Sequence, residues 1–434
     1  MNKLFTSVVA VFAVVTIGQS QDLPNWRPYD KNGINVFEPT KDTATTFKNV
    51  RVKVGGAFAL QYQALDHENT AVPVLNANNV NLNQLIEIGN NFNLPTANLD
   101  LDVELYDGVN MHLRTYLSSR HHPEPYVKGG YIQIDKLEFI SKGFMADAMQ
   151  YLTLKIGQME NNYGDTHFRR TDNALALYNP FVESFLMDSF TTEIGAELYF
   201  QKNGFLAMLG ATNGKLNQGV NNPGTTSPST LVKLGYDKQL NEDLRTRITG
   251  SVYHTAQSAR TYLYAGDRAG SRYYYVMENT LATATSPFAS GRIDPGMRNE
   301  MTAIMINPFV KYNGLEFFGV FETTSGKNNN EVDRRNYTQI GAELLYRFGK
   351  TEQFYVGGRY NTVSGETAST GTTTLTKGDD IDVSRYNLAA GWFMTKNILT
   401  KFEYVNQKYD GYRDTNILNG GAFNGFVFEA TISF

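Results

Sequence analysis

A group of closely spaced acidic and basic side chains lies between positions 160 and 189 of this chain of 434 residues. Its candidate functional residues are Asp165, His167, Arg169, Arg170 and Asp172. Acids and bases at such short spacing can set up a field across a narrow passage, and this field orders water and favours small polar solutes. The same residues could instead pair with one another and stiffen an exposed loop. Whether these residues line a passage or stiffen an exposed loop depends on where the rest of the chain places this segment.

A second set of charges alternates with apolar residues. The three carboxylates of this set alternate with Leu99, Leu101 and Val103, so a strand would place all of them on one face. Three carboxylates on one face cannot point at lipid and must line an aqueous interior. The candidate wall residues, with a basic pair further along, are Asp100, Asp102, Glu104, Arg245 and Arg247.

Signals for covalent, cofactor or metal chemistry are lacking in the sequence. There is no cysteine, and no nucleophile elbow, zinc-binding His-Glu-x-x-His, phosphate loop or dinucleotide fingerprint occurs. His121 and His122 with Glu124 could clip a metal, but Pro123 within a short loop favours solvated side chains. We therefore expect no catalytic residue, no cofactor and no metal site. A net charge of −4 gives no reason to expect a nucleic-acid partner.

From Arg51 onward the sequence returns repeatedly to alternating segments of about ten residues. Turn signals separate them, among them Asp107-Gly108, Asn203-Gly204 and Asn313-Gly314. Such dipeptides favour type I′ hairpins, which need positive φ at both central positions. Counting segments predicts about sixteen strands. Residues 51–434 are therefore expected to be all-β and to form a transmembrane antiparallel β-barrel.

The lengths of the connections support this prediction. Every second link is short and the links between are mostly long, as expected for short periplasmic turns and long extracellular loops. Closure leaves no unpaired edge in lipid, and near sixteen strands the circumference leaves a water-filled interior. The wall charges are therefore expected to face water.

The N-terminal residues predict export from the cytoplasm. Residues 1–20 combine Lys3, a short apolar stretch and small residues before Gln21, which is typical of a signal peptide. Residues 21–50 show little periodicity and could be a periplasmic segment or a small plug. At the other end, Phe426 to Phe434 alternates apolar and polar side chains.

In its alternating strands and its third long loop, residues 160–189, the chain resembles Gram-negative outer-membrane porins, whose third loop folds into the barrel. The stretch from Lys155-Ile-Gly-Gln-Met to Tyr163-Gly164 is similar to the phosphate-selective porin O/P-like group. Phe434 resembles the assembly signal that the barrel-assembly machinery reads. The resemblance implies an outer-membrane location, lipid contact, a homotrimer and passive diffusion of small polar or charged solutes past loop 160–189. Alternatives are an oligosaccharide- or anion-specific channel and a barrel-borne surface enzyme or adhesin.

Overall fold

The alternating segments form the strands of a closed antiparallel β-barrel in the computed structural model of this chain. The described residues are 23–41, 46–93, 97–117, 126–172, 174–214, 227–265, 270–283, 289–368 and 377–434. The expected signal peptide, 1–20, lies outside these residues. His121, His122 and Glu124 also lie outside them.

The barrel has sixteen spanning positions within the described residues, which confirms the prediction from the sequence. The first partner of β1 is divided into a short and a long strand, β2 and β3. The strands are β1 (Arg51–Glu68), β2 (Asn91–Asn93), β3 (Ala97–Tyr106), β4 (Val109–Leu117), β5 (Tyr126–Ile134), β6 (Leu152–Glu160), β7 (Thr192–Lys202), β8 (Phe205–Thr212), β9 (Ser229–Gln239), β10 (Leu244–Thr255), β11 (Glu300–Tyr312), β12 (Leu315–Lys327), β13 (Arg335–Phe348), β14 (Phe354–Ala368), β15 (Lys377–Thr395), β16 (Ile398–Asp410) and β17 (Ala422–Ser433).

The seam between β1 and β17 closes the barrel. These strands pair antiparallel from Ala57 opposite Ser433 to Glu68 opposite Ala422, while the other edge of β1 pairs with β3. The backbone of Phe434 continues the seam, because its N–H donates to the Gly56 carbonyl and its carbonyl accepts from the Gly56 N–H, both at 3.1 Å. A seam of this kind removes the open edge that lipid cannot satisfy.

The outer face of the barrel is apolar. Large side chains that alternate with buried ones remain exposed; examples are Leu234, Ile248, Leu344, Leu388 and Phe428. At the end with short turns, stacked rings run from Tyr346 through Phe348 and Phe354 to Trp392, with centroids 5.6–6.1 Å apart. Rings at that height are typical of the girdle where a barrel meets the membrane–water interface.

The short connections depart from the sequence prediction in two places. At Asn203-Gly204 both residues have positive φ, as type I′ requires. At Asn313-Gly314, by contrast, only the asparagine does, and at Asp107-Gly108 only the glycine does. The register between β3 and β4 shifts just before the Asp107-Gly108 turn, so the extra residue replaces the expected geometry.

The sequence pattern predicts a strand over 127–140, but in the structure β5 ends at Ile134. The N–H groups of Asp135 and Lys136 both donate to the Gly108 carbonyl, which folds the chain over the β3–β4 turn. The connection therefore runs from 135 to 151 and contains a one-turn helix, Ala146–Met149. Two 3₁₀ turns, Lys31–Gly33 and Thr166–Arg169, occur elsewhere. No helix among the described residues is long and apolar enough to cross a membrane.

Candidate functional site

The connection between β6 and β7, residues 161–191, lies inside the ring of strands. Its backbone N–H groups donate to wall side chains on separate strands: Ala174 to Asn98, Val182 to Glu403 and Met187 to Gln339. On β16, Lys401 Nζ donates to three of its carbonyl oxygens at 3.0–3.1 Å. Since β3, β13 and β16 lie on different sides of the barrel, the segment crosses the lumen. We call it the inner loop.

Asp165 is the first charged contact of the inner loop with the wall. Both its oxygens accept from Arg247 at 2.8 Å, and Lys233 Nζ lies 2.8 Å away. Burial by itself would raise the pKa of Asp165, but Arg247 and Lys233 outweigh it and lower that pKa. A predicted constriction residue and a predicted wall residue are therefore partners. Lys233 was not among the predicted residues, although it lies on the polar face of β9.

Arg169 joins the inner loop to the wall two strands further along the sheet. Its guanidinium donates to Glu316 on β12 at 2.7 Å and to Glu343 on β13 at 2.8 Å. Burial opposes the charged form, yet the two carboxylates raise the pKa of Arg169. The contact therefore clamps the inner loop across two neighbouring strands.

Arg170 points elsewhere and pairs within the inner loop. It donates to Asp188 at 2.7–3.0 Å and to Asp172 at 3.4 Å, and its guanidinium lies 4.0 Å from the centroid of the Phe190 ring. Asp172 also pairs with Lys128 on β5. The alternative from the sequence was that these charges pair with one another in an exposed loop. The structure does contain the pair Arg170 and Asp172, but both residues are buried.

His167 is held by two neighbours in the chain rather than by the wall. Its Nδ1 lies 2.6 Å from Glu160, and its Nε2 lies 3.0 Å from the Asn162 side-chain oxygen. The imidazole packs against the Phe168 ring at 3.9 Å between centroids. This arrangement leaves both ring nitrogens occupied.

The predicted wall carboxylates are buried and paired, which corrects the expectation that they face water. Asp100 accepts from Arg114 through two 2.7 Å bonds, and Asp102 lies 2.6 Å from His112 and 2.6 Å from the Tyr29 hydroxyl. Glu104 pairs with the partly exposed Arg51. All three carboxylates point inward as the alternation predicts, but the segments inside the barrel cover them.

Arg245, the other predicted basic wall residue, lies near the end with short turns. It donates to both oxygens of Asp237 on the neighbouring strand at 2.7–2.8 Å and to the Asn35 carbonyl at 3.0 Å. Asp237 also accepts from Arg247 at 3.1 Å. The two arginines are therefore linked through one carboxylate.

Residues 23–41, which sequence periodicity could not place, also lie inside the barrel. We call them the N-terminal segment. Glu38 lies 2.6 Å from Arg247 and 2.8 Å from Lys233, while on the other side the Tyr29 hydroxyl donates to Asp102. Between them, the Asn35 amide donates to Glu316 at 2.7 Å and its oxygen accepts from Arg169. The segment thus bridges β3 to β9, β10 and β12 beneath the inner loop.

A third inserted segment covers the inner loop from the side of the long loops. The link between β10 and β11, residues 256–299, meets it at Glu183. This carboxylate accepts from Arg292 at 2.8 Å, from the Ser271 hydroxyl at 2.9 Å and from the Arg272 N–H at 2.6 Å. Burial by itself would raise its pKa, but Arg292 and Arg385 hold the pKa of Glu183 at about 2.

Several spaces remain beside these inserted segments within the part of the chain that the structure describes. A cavity of about 160 Å³ lies between β4–β7 and the N-terminal segment. A wider space of about 840 Å³ opens at the end with short turns, lined in part by Lys31, Arg245, Lys311 and Arg347. Within the residues that the structure describes, no group of three acidic or histidine side chains could hold a metal ion.

The chain matches no protein-family model and no curated protein by sequence. Its fold is similar to the outer membrane channel DcaP of Acinetobacter baumannii, with a TM-score of 0.53 and 10% identity, covering 89% of this chain and 99% of that one. The anion-selective porin from Comamonas acidovorans gives 0.51 and 10%, covering 89% and 100%. The trimer form of OmpT from Vibrio cholerae, an outer membrane protein, gives 0.51 and 11%, covering 89% and 100%. At this identity the likeness shows the fold.

The closed barrel and its apolar outer belt place this chain in the outer membrane as a multi-pass β-barrel.

Proposed function

We propose that this protein is an outer-membrane channel for the passive diffusion of small polar or charged solutes, with no chemical step. The observation that carries the proposal is the inner loop, which crosses the lumen from β3 to β13 and is held to the wall by charged contacts. Asp165 meets Arg247 on β10, and Arg169 meets Glu316 on β12 and Glu343 on β13. Charges concentrated at the waist of a barrel set which solutes pass.

In this proposal the constriction is formed by Asp165, His167, Arg169, Arg170 and Asp172, with Asp100, Asp102, Glu104, Arg245 and Arg247 as its wall. The N-terminal segment acts as a second narrowing element at the periplasmic side. Together they leave a far narrower path than an empty barrel of sixteen strands would have. We therefore expect small single-channel steps.

Reconstitution in a planar bilayer tests the proposal. The wild-type protein should give discrete open steps, and the double variant Arg169→Gln with Arg170→Gln should change the step size or the ratio of anion to cation permeability. The matched control is Arg413→Gln, because Arg413 pairs with Asp379 among the outer loops, away from the lumen. A folded barrel that never opens, or a double variant that conducts like the control, would contradict the proposal.

Two finer features belong to the same proposal. Relation to the phosphate-selective porin O/P-like group rests on the stretch from Lys155 to Gly164, and comparing phosphate with chloride permeability tests it. A homotrimer is supported by the trimer form described for the Vibrio cholerae protein of similar fold. Light scattering after size-exclusion chromatography in detergent should then give three chains per particle, and a monomer would refute it.

A further inference from the structure

The cavity of about 160 Å³ is walled largely by aromatic rings. They include Trp26, Tyr131, Tyr178, Tyr199 and Phe168. Trp26 lies 6.1 Å from Tyr131 between centroids, at a tilt of 43°. Apolar ring faces of this kind favour a flat, mostly apolar body. The volume is close to that of a cavity known to hold one benzene molecule, about 150 Å³.

Lys155, one of the cations that line this cavity, has no carboxylate partner among the described residues. Lys155 Nζ lies 5.0 Å from the centroid of Tyr199 and 5.6 Å from that of Tyr131, and it makes no hydrogen bond or ion pair within the described residues. Tyr131 likewise makes no side-chain hydrogen bond there. The ammonium and the phenol are therefore both available to a ligand that enters between the rings.

Arg27 adds a second positive charge to the lining of the cavity. Its guanidinium lies 3.7 Å from the centroid of Tyr178, and its hydrogen bonds go to the carbonyls of Gly33 and Phe168, at 2.8 and 2.9 Å. Burial lowers the pKa of Arg27 to about 10. A group so desolvated and bonded only to neutral acceptors gains from a nearby anion.

The other charged residues around the cavity already have partners. Glu38 is held by Lys233 and Arg247, and Glu160 lies 2.6 Å from His167 Nδ1. The cations Arg114 and Lys128 are paired with Asp100 and Asp172 outside the cavity. The charge left to attract a ligand is therefore positive and centred on Lys155.

We propose that this cavity binds a small organic anion that has one ring-sized apolar body and a carboxylate. The carboxylate lies at Lys155, with Tyr131 as a hydrogen-bond donor, and the ring packs against Trp26 and Tyr199. A smaller space of about 30 Å³, which Lys155 also lines, continues toward Lys41 and Asp135 at the end with short turns. The inference rests on the proposed channel for the route of entry, but binding itself can be measured without conduction.

The test uses Trp26 as a reporter. Trp392, the second of the two tryptophans, lies on the outer belt. The variant Trp392→Phe therefore keeps Trp26, at the cavity, as its only tryptophan. Benzoate added to this variant in detergent should change its fluorescence saturably, and benzyl alcohol should bind about tenfold or more weakly because it has no charge.

Substitutions then locate the site. Lys155→Met should raise the Kd for benzoate about tenfold or more, while Lys155→Arg keeps the charge and should retain binding. Lys202→Met is the matched control, because Lys202 also lies over a tyrosine ring, 4.3 Å from the centroid of Tyr151, but outside the cavity. Each variant is first checked for an intact barrel by circular dichroism.

Three results would overturn the inference: no saturable benzoate signal in the folded barrel, equal Kd values for Lys155→Met and Lys202→Met, or displacement of benzoate by inorganic phosphate at equal concentration. The last would indicate a site for inorganic anions. Bilayer recordings on the same preparation separate the two proposals. A barrel that conducts without binding benzoate refutes only this inference, and a barrel that binds benzoate but never conducts refutes only the channel.

Discussion

At the scale of single residues, Glu183 shows how strongly the inserted segments depend on charge. Its carboxylate joins the inner loop to residues 256–299 through Arg292, Ser271 and the Arg272 backbone. A carboxyl group whose folded pKa is depressed stabilises the fold above its unfolded pKa. That stability is lost as the pH falls through the folded pKa. For Glu183 the window runs from the ordinary value of 4.5 down to about 2.

Acidification should therefore loosen the interior of the barrel. We expect the Tm of the detergent-solubilised protein, followed by circular dichroism, to fall between about pH 4.5 and 2. Glu183→Gln should lower the Tm at pH 7 and reduce the fall at low pH, since the amide does not titrate. Asp380→Asn, at an exposed carboxylate, serves as the control. An unchanged pH profile in Glu183→Gln would contradict the role of this carboxylate.

The partners of single charged residues could not be predicted from the sequence. The charges of the inner loop could be selected from their spacing, but their partners could not. Arg169 is separated from Glu316 by 147 positions and from Glu343 by 174. Contacts at that distance follow from the closure of the barrel, and no local pattern encodes them. Lys155 could not be recognised as a binding residue, because only the folded chain shows that it lacks a carboxylate.

At the scale of elements, the strands were largely predictable and the inserted segments were not. Alternation and turn dipeptides identify a strand from its own residues, so β1 and β3–β17 could be counted from the sequence. The N-terminal segment has no such period. Its place inside the lumen follows from side chains such as Asn35 and Glu38 meeting charges that other elements present.

Loosening the N-terminal segment should widen the path. The double variant Asn35→Ala with Glu38→Ala removes its contacts with Glu316, Lys233 and Arg247, while Asp165 still holds the last two. We expect single-channel conductance in planar bilayers to rise, because the segment leaves part of the cross-section.

The control for that experiment is the pair Asn78→Ala with Glu242→Ala, which changes the same residue types at exposed positions outside the lumen. If both double variants conduct like the wild type, the segment does not narrow the channel.

At the scale of the whole molecule, the seam between β1 and β17 decides whether the barrel exists. Phe434 contributes two backbone hydrogen bonds with Gly56 and an exposed ring beside this seam. Its role as an assembly signal remains a prediction.

Deleting Phe434 should lower the fraction of heat-modifiable barrel recovered from outer membranes. The deletion removes the aromatic ring and the two backbone hydrogen bonds with Gly56 at the end of the seam. Phe434→Tyr keeps the ring and the backbone and should assemble at nearly the wild-type level. Equal recovery of the deletion and the wild type would show that assembly does not read this residue.

The position of the N-terminal segment also bears on engineering. Residues 23–41 precede β1 in the chain, yet the closed barrel surrounds them. The sheet must therefore wrap around them as it forms. A passenger domain fused ahead of residue 23 would stay at the periplasmic rim, shielded from antibodies and proteases outside the cell. Display on the cell surface would instead call for insertion into a long connection such as 411–421.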